Sequence, residues 1–389
     1  MDPQYIIFCN DPIIFSVGPF GIRWYSLLFG LIFFLAQPIG YYILKREGKP
    51  LQDMDSLLLY TMLGTVIGAR LGHTLFYEFT YYAQHPLEII FPVVFTATGF
   101  EITGYRGLAS HGGAIGITIA IFLYLYRLDA SLWPPKWQVH KRTRPGQSFL
   151  WLLDRMVILI ALGASFIRMG NFMNEEILGR PTHSTYGVVF THNVTQALSS
   201  ECQSIDQIVV HKKPVTSAEH THHYLPAEME VTFKKSGFAA YEVHRLLERH
   251  IKYMLMHDAR VRQHIYEPEG PLSYQLSQNA QGAYVARIAT SVIPRHPAQL
   301  YESLSCLLLF FVLLLWWHRA HASIRPGSMT GVFLIYVFGL RFFYEFIKEG
   351  KVVLGHILPL HVGQWLSIPL VLIGILFLWY ASRQAPRHD

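Results

Sequence analysis

Seven apolar segments, each close in length to a membrane-crossing helix, constrain the fold of this chain more than any other feature. They fall at residues 20–43, 57–77, 107–126, 149–167, 297–317, 329–347 and 363–380. About 20 consecutive apolar residues suffice to cross the hydrocarbon core of a bilayer as an α-helix. The pattern therefore predicts an all-α polytopic membrane protein with seven transmembrane helices.

The composition excludes an ordinary soluble protein. Only 15% of the 389 residues are charged and 51% are apolar, whereas soluble domains carry about a quarter charged residues. The net charge of +6 does not indicate binding to nucleic acid, because the basic residues are dispersed between apolar blocks and fit attraction to anionic lipids. Residues 1–12 contain no Lys or Arg, so we expect no cleaved secretory leader.

Residues 181–294 are polar and mixed in charge, and the segment is too long for an ordinary loop. We predict a soluble extracytoplasmic head domain here, inserted between the fourth and fifth helices of a membrane domain formed by residues 1–180 and 295–389. Residues 238–264 should be helical, since Leu246, Leu247, Ile251 and Leu255 recur at helical spacing. Four histidines could bind a metal, but no acid or Cys completes a ligand set, which favours a solvated turn. They are His211, His220, His222 and His223.

The basic residues set the predicted orientation. They follow the first, third and fifth apolar segments and end the chain, as Lys45, Arg46, Lys49, Arg127, Lys136, Lys141, Arg142, Arg144, Arg319, Arg325, Arg383 and Arg387. The positive-inside rule places all of them in the cytoplasm. The N-terminus then lies outside and the C-terminus inside, which requires an odd number of crossings. Residues 86–98 are apolar but short, and we predict a re-entrant or interfacial piece there.

The polar residues within and at the edges of the apolar segments gather toward the outer leaflet on this topology. They are Tyr25, Arg70, His111, Arg168, Asn171, His296, Gln299, Tyr301, Arg341, Glu345 and Gln364. Polar groups inside a membrane are costly and usually functional, and scattered structural residues would have no reason to converge on one leaflet. The sequence therefore predicts a functional site at the outer leaflet.

Structural alternatives exist for several of these residues. Arg341 and Glu345 could neutralise each other as an i,i+4 pair, and the side chain of Arg70 could reach outward to the headgroups. Glycines at four-residue spacing predict close helix packing, and they are Gly64, Gly68, Gly72, Gly112 and Gly116.

Cys9, Cys202 and Cys306 are too few and too scattered for a disulfide framework or a zinc site. A pairing of Cys9 with Cys202 stays open.

Two arginines on separate helices, directed at one leaflet, suit a phosphate group, because guanidinium forks bind its oxygens bidentately. Asn171 and Gln299 could orient neighbouring oxygens, and a nearby tyrosine and histidine could move protons. No P-loop, Ser-His-Asp order or metal motif is visible in the sequence, and we predict neither metal nor cofactor. A phospholipid headgroup is the ligand that this chemistry favours.

The chain resembles the bacterial phosphatidylglycerol–prolipoprotein diacylglyceryl transferases, whose motifs occur here in family order. The motifs are Gly18-Pro19, Trp24-Tyr25, Gly68-Ala-Arg70-Leu-Gly72, Phe76-Tyr77, His111-Gly-Gly-Ala-Ile-Gly116, Arg168-Met-Gly-Asn-Phe-Met-Asn174, Glu176, Gly179-Arg180, Arg295-His-Pro-Ala-Gln-Leu-Tyr-Glu302, Gly331-Val-Phe-Leu334, Arg341, Glu345-Phe346 and Gly363-Gln-Trp-Leu-Ser-Ile-Pro369. The resemblance implies transfer of a diacylglyceryl group from phosphatidylglycerol to the lipobox cysteine of a preprolipoprotein in the bacterial inner membrane. The product is a thioether, and glycerol phosphate leaves.

Matching the motifs residue by residue gives the expected site. The catalytic residues would be His111, Arg168, Arg341 and Tyr25, with both arginines on the phosphate. The substrate-binding residues would be Asn171, Asn174, Glu176, Gly179, Arg180, Gln299, Tyr301, Glu345 and Arg70. The sequence does not identify the base for the thiol.

The chain departs from the family pattern at two positions. A family histidine is replaced by Arg23, so no proton-transfer role carries over there. A family tyrosine aligns with Val337, and Tyr336 is rotated from that position by about 100° on a helix. A transporter would also place arginines in spans, but the polar residues stop at one leaflet. A scaffold or receptor would not explain the intramembrane arginines.

Overall fold

The structure is a computed structural model that describes residues 5–18, 20–91, 93–96, 99–102, 109–132, 135–142, 144–214, 224–235, 239–349, 353–354 and 360–384. Within these residues the α-helices are α1 (Trp24–Arg46), α2 (Gln52–Phe76), α3 (Phe79–Gln84), α4 (Leu87–Ile90), α5 (Ser110–Leu125), α6 (Phe149–Met173), α7 (His192–Glu201), α8 (Ala240–Arg245), α9 (Lys252–His257), α10 (Ala259–Arg262), α11 (Ala298–Ala320), α12 (Ser328–Tyr344) and α13 (Val362–Ser382). A π-helical turn, Leu246–Ile251, joins α8 to α9.

The strands are β1 (Ile6–Phe8), β2 (Ile13–Val17), β3 (Phe20–Arg23), β4 (Val93–Thr96), β5 (Gly99–Ile102), β6 (Tyr126–Leu132), β7 (Pro135–Lys141), β8 (Val188–Phe190), β9 (Ile205–Lys212), β10 (Leu225–Phe233), β11 (Ile265–Tyr266), β12 (Tyr274–Gln278), β13 (Tyr284–Val292), β14 (Val353–Leu354) and β15 (Leu360–His361). The two longest strands, β10 and β13, have nine residues each and lie between α6 and α11.

Each of the seven predicted apolar segments overlaps one helix: α1, α2, α5, α6, α11, α12 or α13. Among the described residues, α1, α6, α11 and α13 are long and apolar enough to cross a membrane, while α12 and the apolar part of α5 are shorter. A mostly helical chain with four candidate spans fits a polytopic membrane protein. The number of seven crossings stays a prediction. The predicted re-entrant stretch at 86–98 contains α4 and β4.

The chain divides into two compact units. Unit 1 comprises Met1–Phe29, Ala164–Ser305 and Leu340–Ile368, and unit 2 comprises Gly30–Gly163, Cys306–Gly339 and Pro369–Asp389. The predicted head segment, 181–294, lies wholly within unit 1. The division into membrane and head domains by sequence boundaries stays a prediction.

A five-stranded sheet in unit 1 corrects the all-α expectation for the head segment. Its path is β11-β13-β10-β9, with β12 also paired to β13, and all of these pairs are antiparallel. In β10 every second residue is buried, from Leu225 to Phe233, as a strand with one face on a core requires. The sequence carries this two-residue alternation, which is the signal that predicts a strand rather than a helix.

The predicted helix at 238–264 is confirmed as α8, the π-helical turn, α9 and α10. Val243, Leu247, Ile251 and Leu255 are buried in one hydrophobic core with the inward residues of the sheet. The N-terminal strand β1 pairs in parallel with β8, and Tyr5 before it is fully buried in the same core. Spacings of three and four residues place these apolar side chains on one helix face.

In unit 2 the glycine spacing has the predicted effect. A Cβ added at Gly64 would lie 2.6 Å from the carbonyl oxygen of Gly116, and one at Gly72 would lie 2.7 Å from the Cα of Gly112. Side chains at these positions would force the backbones of α2 and α5 apart. The prediction of close packing by small residues is therefore confirmed.

Buried polar contacts also hold unit 2 together. Asp154 of α6 is fully buried, and its carboxylate accepts hydrogen bonds from Gly327 N at 2.7 Å, Thr330 N at 2.8 Å and Thr330 Oγ1 at 2.7 Å. The carboxylate thereby satisfies N–H groups at the start of α12, which have no partner inside the helix. Arg155, the next residue, forms an ion pair with Glu47 at 2.8 Å.

Candidate active site

The end of α6 places the first group of predicted site residues. Arg168 and Asn171 are one turn apart, and Arg168 Nη1 donates to Asn171 Oδ1 at 3.2 Å. Beyond Met173 the chain turns sharply, with positive φ at Glu175 (52°) and Ile177 (56°). A positive φ at a β-branched residue such as Ile177 is a genuine outlier. Strain of this kind is typical of functional sites.

The strained turn presents the carboxylate of Glu176. Asn171 Nδ2 donates to Oε2 at 2.9 Å and Asn174 Nδ2 donates to Oε1 at 3.1 Å, so each oxygen has its own amide donor. Gln299 Nε2 donates to the backbone oxygen of Glu176. Glu176 remains exposed, and its carboxylate is therefore held in place and accessible.

Glu175 points the other way and is buried. Its carboxylate accepts from the backbone N–H groups of His192 (3.1 Å) and Asn193 (3.3 Å) at the start of α7. Burial raises the pKa of Glu175 to about 7, and these N–H donors oppose the rise. The turn is thus anchored on one side by Glu175 while Glu176 faces the site.

A cluster of charged side chains joins α6, α11, α12 and the residues just after α12. Arg168 Nε lies 2.7 Å from Glu302 Oε2. Lys348 Nζ contacts the other oxygen of Glu302, Oε1, and lies 3.5 Å from Glu345 Oε1. Arg341 interacts electrostatically with Glu302. Below, the ionic cluster means these five residues. Both predicted phosphate-binding arginines, which lie on different helices, therefore act on Glu302, Arg168 through an ion pair and Arg341 through its charge.

Tyr25 reaches this site because α6 carries a glycine opposite it. A Cβ added at Gly170 would lie 2.8 Å from Tyr25 Cδ2, so the tyrosine ring packs directly on the helix backbone. Glu176 and Arg168 are the charged groups that act on the Tyr25 hydroxyl. The structure therefore brings Tyr25 together with Arg168 and Glu176.

Backbone hydrogen bonds of Arg180 join the chain after α6 to the residues after α12 and to those just before α11. Arg180 N donates to Ile347 O at 2.7 Å, and His296 N donates to Arg180 O at 3.1 Å. A Cβ added at Gly179 would lie 2.9 Å from His296 Cβ. A side chain would therefore not fit here, and glycine allows the two backbones to approach closely. The side chain of Arg180 is exposed.

Tyr301 and His296 form a pair at the start of α11. The Tyr301 hydroxyl lies 3.4 Å from His296 Nδ1. Burial lowers the pKa of His296, with a smaller contribution from the charge of His183. A neutral imidazole can exchange a proton with this hydroxyl once the two groups move slightly closer together.

Two predicted residues, Arg70 and His111, belong to unit 2. Arg70 is buried, donates from Nε to Ile89 O at 3.2 Å and from Nη2 to Glu88 O, and stacks on Tyr82 at 4.8 Å. These contacts tie α4 to α2. His111 lies in the first turn of α5 and is half-buried.

Two residues of the ionic cluster were not predicted as site residues. Glu302 is an acid in an apolar segment, which is itself a signal of function. Lys348 gives no such signal, because it lies at the end of the sixth segment, where lysines are common. The importance of Lys348 follows only from its contacts with distant parts of the chain.

Neither a metal-binding cluster nor a disulfide occurs among the described residues. Within them, no three His, Cys, Asp or Glu side chains group to hold a metal ion. His211 lies on β9, while His220, His222 and His223 fall outside the described residues. Cys9, Cys202 and Cys306 are free thiols.

Comparison with known proteins gives one consistent family for the chain. A family model described as prolipoprotein diacylglyceryl transferase matches residues 12–380. A phosphatidylglycerol–prolipoprotein diacylglyceryl transferase of Chloroherpeton thalassium is 32% identical over 98% of this chain and 96% of its own. Proteins of the same name from Tolumonas auensis and Bacteroides fragilis are 31% and 26% identical, over 98% and 96% of this chain and 100% and 94% of their own.

Proposed function

Since this chain belongs to the prolipoprotein diacylglyceryl transferase family, we propose that it performs the reaction for which its relatives are named. The diacylglyceryl group of phosphatidylglycerol moves to the lipobox cysteine thiol of a preprolipoprotein. A carbon–sulfur bond forms and the carbon–oxygen bond to the phosphate breaks. The thiol proton is released, and glycerol phosphate leaves with the bonding electrons. This is the first step of lipoprotein maturation.

The observation that carries the proposal is that Arg168, through an ion pair, and Arg341, through its charge, both act on Glu302. The leaving phosphate gains negative charge as the carbon–oxygen bond breaks, and fixed cations stabilise that charge in a site of low dielectric constant. Arg168 uses Nε for Glu302 and Nη1 for Asn171, and Nη2 takes part in neither contact. This edge of the guanidinium is where a phosphate oxygen would bind.

Amide groups beside the cluster fit the glycerol part of the lipid. Asn174 Oδ1 and Gln299 Oε1 are buried and have no hydrogen-bond partner among the described residues. Buried polar atoms nearly always have a partner. The hydroxyls of the phosphatidylglycerol headgroup are donors that would satisfy these two oxygens.

Tyr25 and Glu176 are the groups we assign to the thiol side of the reaction. Glu176 is exposed and fixed by two asparagines, and Tyr25 is its electrostatic neighbour. A cysteine thiol with a pKa near 8.5 needs only modest help to ionise. His111 is proposed as a further proton carrier, and Tyr301, Arg180 and Arg70 as residues that shape the binding site.

The protein would act as a multi-pass protein of the bacterial inner membrane, with seven crossings, the N-terminus outside and the C-terminus in the cytoplasm. The support is the positive-inside distribution of Lys and Arg. The head domain, formed by the sheet and by α7 to α10, would then face outward, where the preprolipoprotein substrate emerges.

A transfer assay with purified protein tests the proposal. Vesicles of phosphatidylglycerol and a synthetic lipobox peptide should yield a peptide heavier by one diacylglyceryl group, with glycerol phosphate in equal amount. Vesicles of phosphatidylcholine and a peptide with Ser in place of the cysteine serve as controls. Folded protein that leaves the cysteine peptide unmodified would refute the assignment.

A further inference from the structure

Lys348 is the most deeply buried cation of the ionic cluster. Its side chain is 2% exposed, and its ammonium contacts Glu302 and lies 3.5 Å from Glu345. Burial lowers the pKa of Lys348, and the charge of Glu302 opposes this. A buried lysine is costly unless it is paired, and the phosphate-binding role given to the arginines does not by itself require a third cation.

The two oxygens of Glu302 show what Lys348 does. Oε2 faces Arg168 and Oε1 faces Lys348. If the lysine were absent, Arg168 could place its fork across both oxygens, which is the strongest arrangement of this pair. A phosphate would then have to compete with a bidentate carboxylate for the same guanidinium.

Charge balance leads to the same conclusion. Three cations, Arg168, Arg341 and Lys348, face two carboxylates, Glu302 and Glu345. The cluster therefore carries one net positive charge, and it would be neutral without Lys348. An anionic phosphate is attracted to a buried site with a positive charge and gains little from a neutral one.

We propose that Lys348 is a positioning residue that neutralises Glu302 and Glu345, so that Arg168 stays available to the phosphate of the phospholipid. The inference rests on the proposed function. Lys348 itself does not touch the reacting atoms. Its effect on transfer passes through the two carboxylates.

The test uses Lys348→Met, which keeps the length of the side chain and removes its charge. We expect kcat/KM for phosphatidylglycerol vesicles to fall roughly 10–50-fold, the effect of one unit charge across about 7–10 Å at an effective dielectric constant of about 20. Lys348→Arg should keep most of the activity. In the double variant K348M/E345Q the net charge returns to that of the wild type, so the part of the loss that comes from net charge should be recovered.

Lys252→Met is the matched control, because Lys252 is also a buried lysine in unit 1 and pairs with Glu267 at 2.8 Å. It should lower thermal stability while leaving transfer per folded molecule unchanged. A structural role of Lys348 would make K348M resemble this control, and recovery by E345Q would not occur.

The inference is overturned if K348M transfers lipid like the wild type, or if K348M/E345Q is as defective or as unfolded as K348M alone. Should K348M alone fail to fold, a folded and active double variant still supports charge neutralisation. Arg168→Lys is measured alongside. Normal transfer by R168K refutes the proposed phosphate site, whereas defective R168K with normal K348M refutes only the role of Lys348.

Discussion

Replacement of Arg168 by lysine separates a phosphate-binding role from a purely structural one. The guanidinium makes two fixed contacts, from Nε to Glu302 at 2.7 Å and from Nη1 to Asn171 at 3.2 Å. A lysine ammonium is a single point charge and cannot reproduce both contacts and also bind a phosphate. If it stays with Glu302, the contact to Asn171 and the phosphate contact are both lost.

The loss should be largest in the transition state, because the phosphate gains charge as the carbon–oxygen bond breaks. Removal of one charge-stabilising donor typically lowers turnover by about 10²–10³-fold, or about 3–4 kcal/mol. We therefore expect kcat of Arg168→Lys to fall by this amount. KM for phosphatidylglycerol should change much less. Arg341→Lys should behave in the same way.

The assay is the transfer reaction on vesicles, with kcat and KM measured separately and folding checked by thermal unfolding. Arg155→Lys is the matched control. Arg155 is also on α6 and is buried, but it pairs with Glu47 at 2.8 Å and belongs to unit 2. It should lose stability without losing turnover. Folded R168K that turns over at the wild-type rate would make Arg168 a structural ion-pair partner and refute the reasoning.

Three further predictions concern the support of the site. Asp154→Ala should destabilise the protein by about 2–4 kcal/mol in thermal or denaturant unfolding, because two buried N–H groups and a hydroxyl lose their acceptor; an unchanged midpoint would contradict this. The pKa of Glu175 is raised from 4.5 to about 7, so its stabilising contribution is complete below pH 4.5 and is lost as the pH rises through 7. Relative to Glu175→Gln, the wild type should therefore lose about 3 kcal/mol between these values, and parallel pH–stability curves would exclude it. Gly170→Ala should displace Tyr25 and lower kcat. Gly30→Ala on α1 is the control and should leave kcat unchanged, because nothing lies within 4 Å of its added Cβ. Equal activity of the two variants would show that transfer does not depend on the position of Tyr25.

The sequence predicts site residues best where a polar side chain occurs within or beside an apolar segment. Polar groups in apolar segments are expensive, so Arg168, Asn171, Glu302 and Arg341 stand out against the apolar residues that surround them in the sequence. The local part of the site was predictable for a second reason. Arg168 and Asn171 are one helical turn apart, so α6 alone brings them together.

Long-range partners were not predictable in the same way. Arg70 and Arg168 look alike in the sequence, since each is an arginine within or at the edge of an apolar segment. In the structure Arg70 donates to backbone carbonyls at Glu88 and Ile89, whereas Arg168 faces a carboxylate. Only tertiary contacts distinguish a guanidinium that ties the backbone together from one that is directed at a ligand.

The strained turn after α6 shows why the remaining part of the site does not follow from sequence patterns. Positive φ angles at Glu175 and Ile177 are each expected to cost about 1–3 kcal/mol, and neither residue type signals such a conformation. A glycine at either position would remove the strain. Glycine at 175 would also remove the carboxylate that holds the start of α7. The turn therefore keeps non-glycine residues where backbone geometry disfavours them, because one side chain anchors it and its neighbour Glu176 is thereby held between two asparagines at the proposed thiol site.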